Sequence, residues 1–184
     1  MSVGAAGFGG SRAGLDSAAI TACFNGTFLA AERVALVGGY REPLYIPATA
    51  TAPAQLRFTH DYAASALHEV SHWCIAGPKR RQQMDFGYRY VPAPRSEPQQ
   101  RAFLRSEVGA QALESLFADL AGVDFSLSFD DLEDRHLGLR AAFAADVAAR
   151  RRSLAAGALP PAARRFCDAL RRARAHRSPE DTRL

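Results

Sequence analysis

Two histidines, His68 and His72, stand four residues apart in the stretch ALHEVSHWCIAGP, residues 66–78, with Glu69 beside the first. The pattern is H-E-x-x-H, the spacing of a metal-binding helix. Four residues on an α-helix differ by about 40° in angle and about 6 Å along the axis, so two imidazoles so placed converge on one cation. Glu69 lies about 100° round from His68 and reaches only the edge of such a site. Cys74 points away from both histidines and is not expected as a ligand. Asp61, Ala64, Ser65 and Ile75 share the histidine face, and the small Ala64 and Ser65 leave room for an ion and a reactant. His60, just before the helix, joins Glu69 as a candidate catalytic residue. The bland alternative is a pair of helical histidines hydrogen-bonded in a core.

Two histidines do not hold a metal alone, and a carboxylate is the usual third ligand. Downstream candidates are Glu107, Glu114 and Asp119. His136 lies in the charged turn LEDRH and reads as solvated. Two imidazoles and a carboxylate suit two chemistries. With zinc, an activated water takes the open position and Glu69 serves as general base of a hydrolase or peptidase. With ferrous iron, the same set is the facial triad of a non-haem oxygenase, with O2 at the open positions. Ligand types leave both open.

The elements that position these residues read as follows. Residues 1–14 are glycine-rich and aperiodic, a disordered lead-in. DSAAITACFNGTFLA opens a helix at Asp16 or Ser17, which cap it. EPLYIPA (42–48) is a proline-bracketed edge strand or extended loop, and AQLRFTH (54–60) a second short strand. The histidine helix is expected from about Asp61 to Ala76, capped by Thr59 or Asp61 and ended by Gly77-Pro78. MDFGYRYV (84–91) alternates large and polar residues and predicts a strand. PAPRSEPQQ (92–100) reads as a loop, followed by a helix from near Gly109 to Gly122. Glu107 then falls on an extended segment just before that helix. DFSLSFDD (124–131) is a short apolar segment between acidic turns. Leu139, Phe143 and Val147 form one helical stripe, and Phe166, Ala169, Leu170 and Ala173 another, separated by Gly157 and Pro160-Pro161. The last residues, SPEDTRL (178–184), read as frayed. The fold class is α+β, a predominantly helical single domain over 15–184 with a small sheet and the metal site on a central HExxH helix.

At 184 residues the chain is long enough to bury a core without disulfides. Its three cysteines, Cys23, Cys74 and Cys167, are scattered, which excludes a disulfide framework and a C-x-x-C knuckle. No stretch reads as a secretory signal or a membrane span, so a soluble protein of the reducing cytoplasm is expected. The formal charge of +4 leans weakly towards an acidic partner. Lysine occurs once, at Lys79, and arginines at 150, 151, 152, 164, 165, 171, 172, 174 and 177 mark the outer faces of the last two helices.

ASALHEVSHWCIAG, then DFGYRY, then EVGAQAL resemble the motifs of bacterial elongation factor P hydroxylase, and EPLYIPA and RFTHDYAASA extend the likeness over roughly residues 15–170. SHWCIAG and DFGY have no part in peptidase signatures. The resemblance implies an iron enzyme that uses O2 to hydroxylate a lysyl-modified lysine on elongation factor P. It implies His68, His72 and Glu107 as metal ligands and does not imply 2-oxoglutarate. Glu69 then needs a role other than activating water. Asp85, Tyr88 and Tyr90 are candidate substrate-binding residues, since aromatic faces and a carboxylate suit an ammonium group. The implied partner is modified elongation factor P, an acidic folded protein that the arginines would steer, with no membrane and no stable nucleic acid. The glycine-rich start, the GA between Val108 and Gln111 and the arginine-rich end depart from the family pattern.

Overall fold

The computed structural model describes residues 14–88, 90–131 and 135–176. The expected disordered lead-in and frayed end therefore lie, apart from Gly14, outside the described residues.

Helix α1 (Ser17–Glu32) starts where the sequence places it: the Asp16 carboxylate accepts from Ala19 N–H at 2.8 Å. Ile20, Phe24 and Phe28, four apart, form its buried face. The chain turns at Arg33, in the left-handed region, straight into β1 (Val34–Tyr40). β2 (Leu44–Ile46) and β3 (Ala54–Thr59) complete a sheet of order β1-β3-β2, with β1 parallel and β2 antiparallel to the central β3. The register of β1 slips between Val37 and Tyr40. There a Cβ on Gly38 would stand 2.5 Å from the Phe58 ring, so only glycine lets the strands close.

Helix α2 (Ala63–Ile75) carries the histidines. It starts two residues later than expected, and neither Thr59 nor Asp61 caps it. Tyr62 is the N-cap residue, without a side-chain hydrogen bond, while Ser65 Oγ accepts from Thr59 N–H at 3.0 Å. Gly77-Pro78 follows its end, as the sequence requires. Leu67, Val70, Trp73 and Cys74 turn into the core. Trp73 packs on Phe24 and Phe28 at centroid distances of 5.2 and 4.8 Å, and Phe166 packs on Phe117 at 4.9 Å.

Two expectations are corrected here. Among the described residues of 84–91 there is no strand; Met84–Gly87 is a tight turn with Asp85, Phe86 and Gly87 at φ of 46°, 56° and 72°. Long-range contacts outweigh the alternating pattern: Asp85 Oδ1 accepts from Tyr45 N–H at 2.9 Å, and Phe86 stacks on Tyr45 at 4.2 Å. Helix α3 (Glu97–Ala121) begins twelve residues before Gly109, so residues 97–100 of the expected loop and all of the segment holding Glu107 are helical. Pro98 sits in its first turn, and the Gln99 side chain accepts from Ser96 N–H at 2.8 Å.

Helices α4 (Leu137–Ser153) and α5 (Pro161–His176) follow the two predicted stripes, with Leu139, Phe143, Val147, Phe166, Ala169 and Leu170 buried. Gly157, at φ 118°, breaks the chain between them. One apolar cluster draws side chains from all five helices and the sheet. The segment 124–131 has no regular structure and is pinned to α3. Gln100 donates to Phe129 O, and Gln111 donates to Ser128 O and accepts from Ser128 N–H. Cys23 is half-buried, Cys74 and Cys167 are buried, and all three are free thiols. Among the described residues no helix is long and apolar enough to cross a membrane.

Candidate metal centre

The histidines lie side by side on the face of α2 turned to α3, with ring centroids 4.7 Å apart and Nε2 atoms 3.1 Å apart. From α3, the Glu107 carboxylate reaches between them: Oε1 is 3.3 Å from His72 Nε2, and Oε2 is 3.6 Å from His68 Nε2. The three donors lie within 4.8 Å of one another. Ligand atoms about 2.1 Å from a common ion at angles of about 90–110° sit about 3.0–3.4 Å apart. The 3.1 and 3.3 Å separations fall in that range and the 3.6 Å one lies just beyond it, so the donor set closes on one divalent ion with a small shift of the Glu107 carboxylate.

Glu114 is close but differently placed. Its Oε2 is 2.8 Å from His68 Nδ1, the ring edge opposite Nε2, so it cannot share an ion with Nε2. Asp119 lies a further turn along α3, ion-paired with Arg151. His136 Nε2 is 3.0 Å from the carbonyl of Arg95, at the start of α4. Of the three carboxylates that the spacing leaves open, only Glu107 meets both Nε2 atoms.

Electrostatics mark the same cluster. Burial pulls the His68 pKa down, but the hydrogen bond that its Nδ1–H donates to Glu114 and the charges of Glu69, Glu114 and Glu107 push it up to about 9. Burial pushes Glu107 up, yet its hydrogen bond with His72, the charges of His72 and His68, and the Gln111 amide hold it at about 2. Glu69 is raised above its ordinary range by burial; the two histidines oppose this, and Glu107 and Asp85 add to it.

The other predicted residues surround this core unevenly. The Tyr88 ring stands 6.1 Å from the His72 ring, and the Arg80 guanidinium covers one of its faces at 3.8 Å. Asp85 neighbours Glu69 but also anchors the turn to Tyr45. Tyr90 is 65% exposed and donates to Asp130 at 3.1 Å, in the 124–131 segment. His60 is exposed, at φ 48°, with its ring against Tyr62, and is not among the three converging donors.

Sequence reasoning missed three residues that shape the surroundings. Gln111 bridges Glu107 to Ser128, and Arg80 ties Tyr88 to the carbonyl of Phe86. Arg95, its side chain 1% exposed, pairs with Asp130 at 2.7 Å and bonds the Val91 carbonyl, stapling residues 91–95 to 124–131. An arginine after two prolines gives no local sign of burial; the one usable signal was Gln111, one helical turn after Glu107.

A model of the elongation factor P hydroxylase family matches residues 23–182. A curated relative from Haemophilus influenzae, elongation factor P lysine hydroxylase, is 44% identical over 114 residues, which is 61% of this chain and 64% of the relative. The chain thus spans a little under two thirds of the length of the curated relative it matches. These likenesses carry no trace of the hydrolase alternative. With the family model covering the strands, the histidine helix and the helix that brings Glu107 to it, the chain belongs to the elongation factor P hydroxylase family.

Proposed function

We propose that residues 15–184 form an iron-dependent monooxygenase that hydroxylates the lysyl-modified lysine of elongation factor P in the cytoplasm, with O2 as cosubstrate. The observation that carries the reading is the convergence of His68, His72 and Glu107 in a chain of this family. Two imidazoles and one carboxylate with open positions suit ferrous iron. When bound, the iron would supply the activation of O2, one oxygen atom entering a C–H bond and the other leaving as water with two electrons and two protons from an external reductant. The reading does not call on 2-oxoglutarate.

The remaining roles belong to the chain's own side chains. His68, His72 and Glu107 hold the ion. Glu69, half-buried beside them, is a carboxylate disfavoured by its surroundings. An incoming ammonium relieves that cost, so Glu69 and Asp85 receive the cationic end of the modified lysine. The open face of Tyr88 lies along its path, with Tyr90 and His60 at the outer rim.

Mass spectrometry of elongation factor P produced with and without this chain tests the reading. A mass gain of one oxygen atom on the modified lysine is expected only when the chain is present. Iron-loaded protein that leaves modified elongation factor P unchanged under reducing, aerated conditions refutes it.

A further inference from the structure

Glu114 is a carboxylate that meets the histidine pair on the side away from the other donors. Its Oε2 stands 2.8 Å from His68 Nδ1, while His68 Nε2 faces His72 and Glu107. A neutral imidazole carries one proton on one ring nitrogen, and the partner of that nitrogen decides which. A carboxylate only accepts, so Glu114 requires the proton on Nδ1 and leaves the Nε2 lone pair bare.

Helix geometry explains how one element does both jobs. Glu107 and Glu114 are seven residues apart, so they differ by only about 20° in angle and about 10 Å along α3. Both therefore face α2, one at each edge of the His68 ring. Gln111 lies between them on the same face, buried, and holds Glu107. The Glu114 side chain is 10% exposed, so water competes little for its contact with His68.

We infer that Glu114 is a positioning residue, which fixes the tautomer and orientation of His68 so that Nε2 is presented to a metal ion. The inference rests on the metal-site reading above and deepens it. Ligating histidines bound in this way to a carboxylate are more basic donors, and loss of such partners typically weakens metal binding ten- to hundredfold. The competing role is purely structural: Glu114 as counter-ion to a protonated His68, holding α2 to α3.

The test is anaerobic titration of metal-free full-length protein with Fe(II) and with Zn(II), for wild type, Glu114→Ala and Glu114→Gln, alongside thermal melts. Glu114→Ala should bind each metal about ten- to hundredfold more weakly. Glu114→Gln, whose amide oxygen still accepts from Nδ1–H, should lose less. The Co(II)-loaded protein should show a changed visible spectrum in Glu114→Ala and a near-native one in Glu114→Gln. A structural role alone lowers the melting temperature and leaves both affinities and the Co(II) spectrum unmoved, which overturns the inference while sparing the metal site. If Glu114→Ala does not fold, Glu114→Gln decides, and wild-type affinity in that variant overturns the inference. Wild-type protein that binds none of the three metals overturns the metal-site reading as well.

Discussion

Metal binding to this site should expel a proton from His68, and the effect is large enough to measure. In the metal-free protein His68 titrates near 9, because one histidine faces three glutamates. At pH 7 it is thus about 99% imidazolium, two units below its pKa. An ion at Nε2 must displace that proton, while Nδ1–H stays with Glu114. Glu107 contributes none, being ionised at any pH well above 2. Each pH unit below 9 therefore weakens apparent affinity tenfold, about 1.4 kcal/mol. The cost at pH 7 is about 2.7 kcal/mol, or a hundredfold. Calorimetric Zn(II) titrations in buffers of different ionisation enthalpy read the proton count directly. About one proton per ion from His68 is expected at pH 7, falling towards zero above pH 9. Affinity that stays flat from pH 6.5 to 9, with no proton released, would refute this electrostatic reading.

His68→Ala, His72→Ala and Glu107→Ala should each abolish both metal binding and hydroxylation with the helical circular dichroism retained, since the core lies elsewhere; full metal occupancy in Glu107→Ala would exclude it as a ligand. Glu69→Gln should lower hydroxylation only partially, because the amide still hydrogen-bonds, whereas loss of a general base typically costs 10²–10⁴-fold; a peptidase activity that this change eliminates would contradict the oxygenase reading. In the metal-free protein, the raised pKa of His68, from 6.5 to about 9, stabilises the fold fully below pH 6.5. That stabilisation, about 3 kcal/mol, is lost as pH rises through 9, so the metal-free melting temperature should fall over that window. Arg95→Met should destabilise the protein by about 1–3 kcal/mol by removing charge-assisted hydrogen bonds to Asp130 and the Val91 carbonyl, read as a shifted urea midpoint.

Local patterns carried most of the helices. Asp16 caps α1 as its side chain allows, Gly77-Pro78 closes α2, and the apolar stripes of α4 and α5 are buried as their spacing requires. The i, i+4 histidine pair was legible for the same reason, being a property of one helix. Glu107 required the resemblance, because its meeting with α2 is tertiary and three carboxylates on α3 satisfy the spacing equally. β1 went unseen because it follows α1 with only Arg33 between them, and it carries two glycines that weaken a strand pattern. The turn at 84–87 was misread because its conformation is dictated by Tyr45, 40 residues away. The early start of α3 was readable: Ser96, Pro98 and Gln99 spell a helix start, which the surrounding prolines masked.

The bond between Asp85 and Tyr45 also governs how another protein can approach. β2 is three residues long and forms one edge of the sheet. In an antiparallel pair only alternate residues turn their backbone groups outward, and here that residue is Tyr45. Its N–H is already taken by Asp85, from the turn beside the histidine helix. The edge nearest that turn therefore has no free donor with which to zip up an incoming strand, the way many domains capture extended peptides. A partner strand laid along β2 would find the outward N–H of Tyr45 already engaged. The same aspartate that shapes the turn thus removes a donor that strand exchange between copies of the chain would use on this edge.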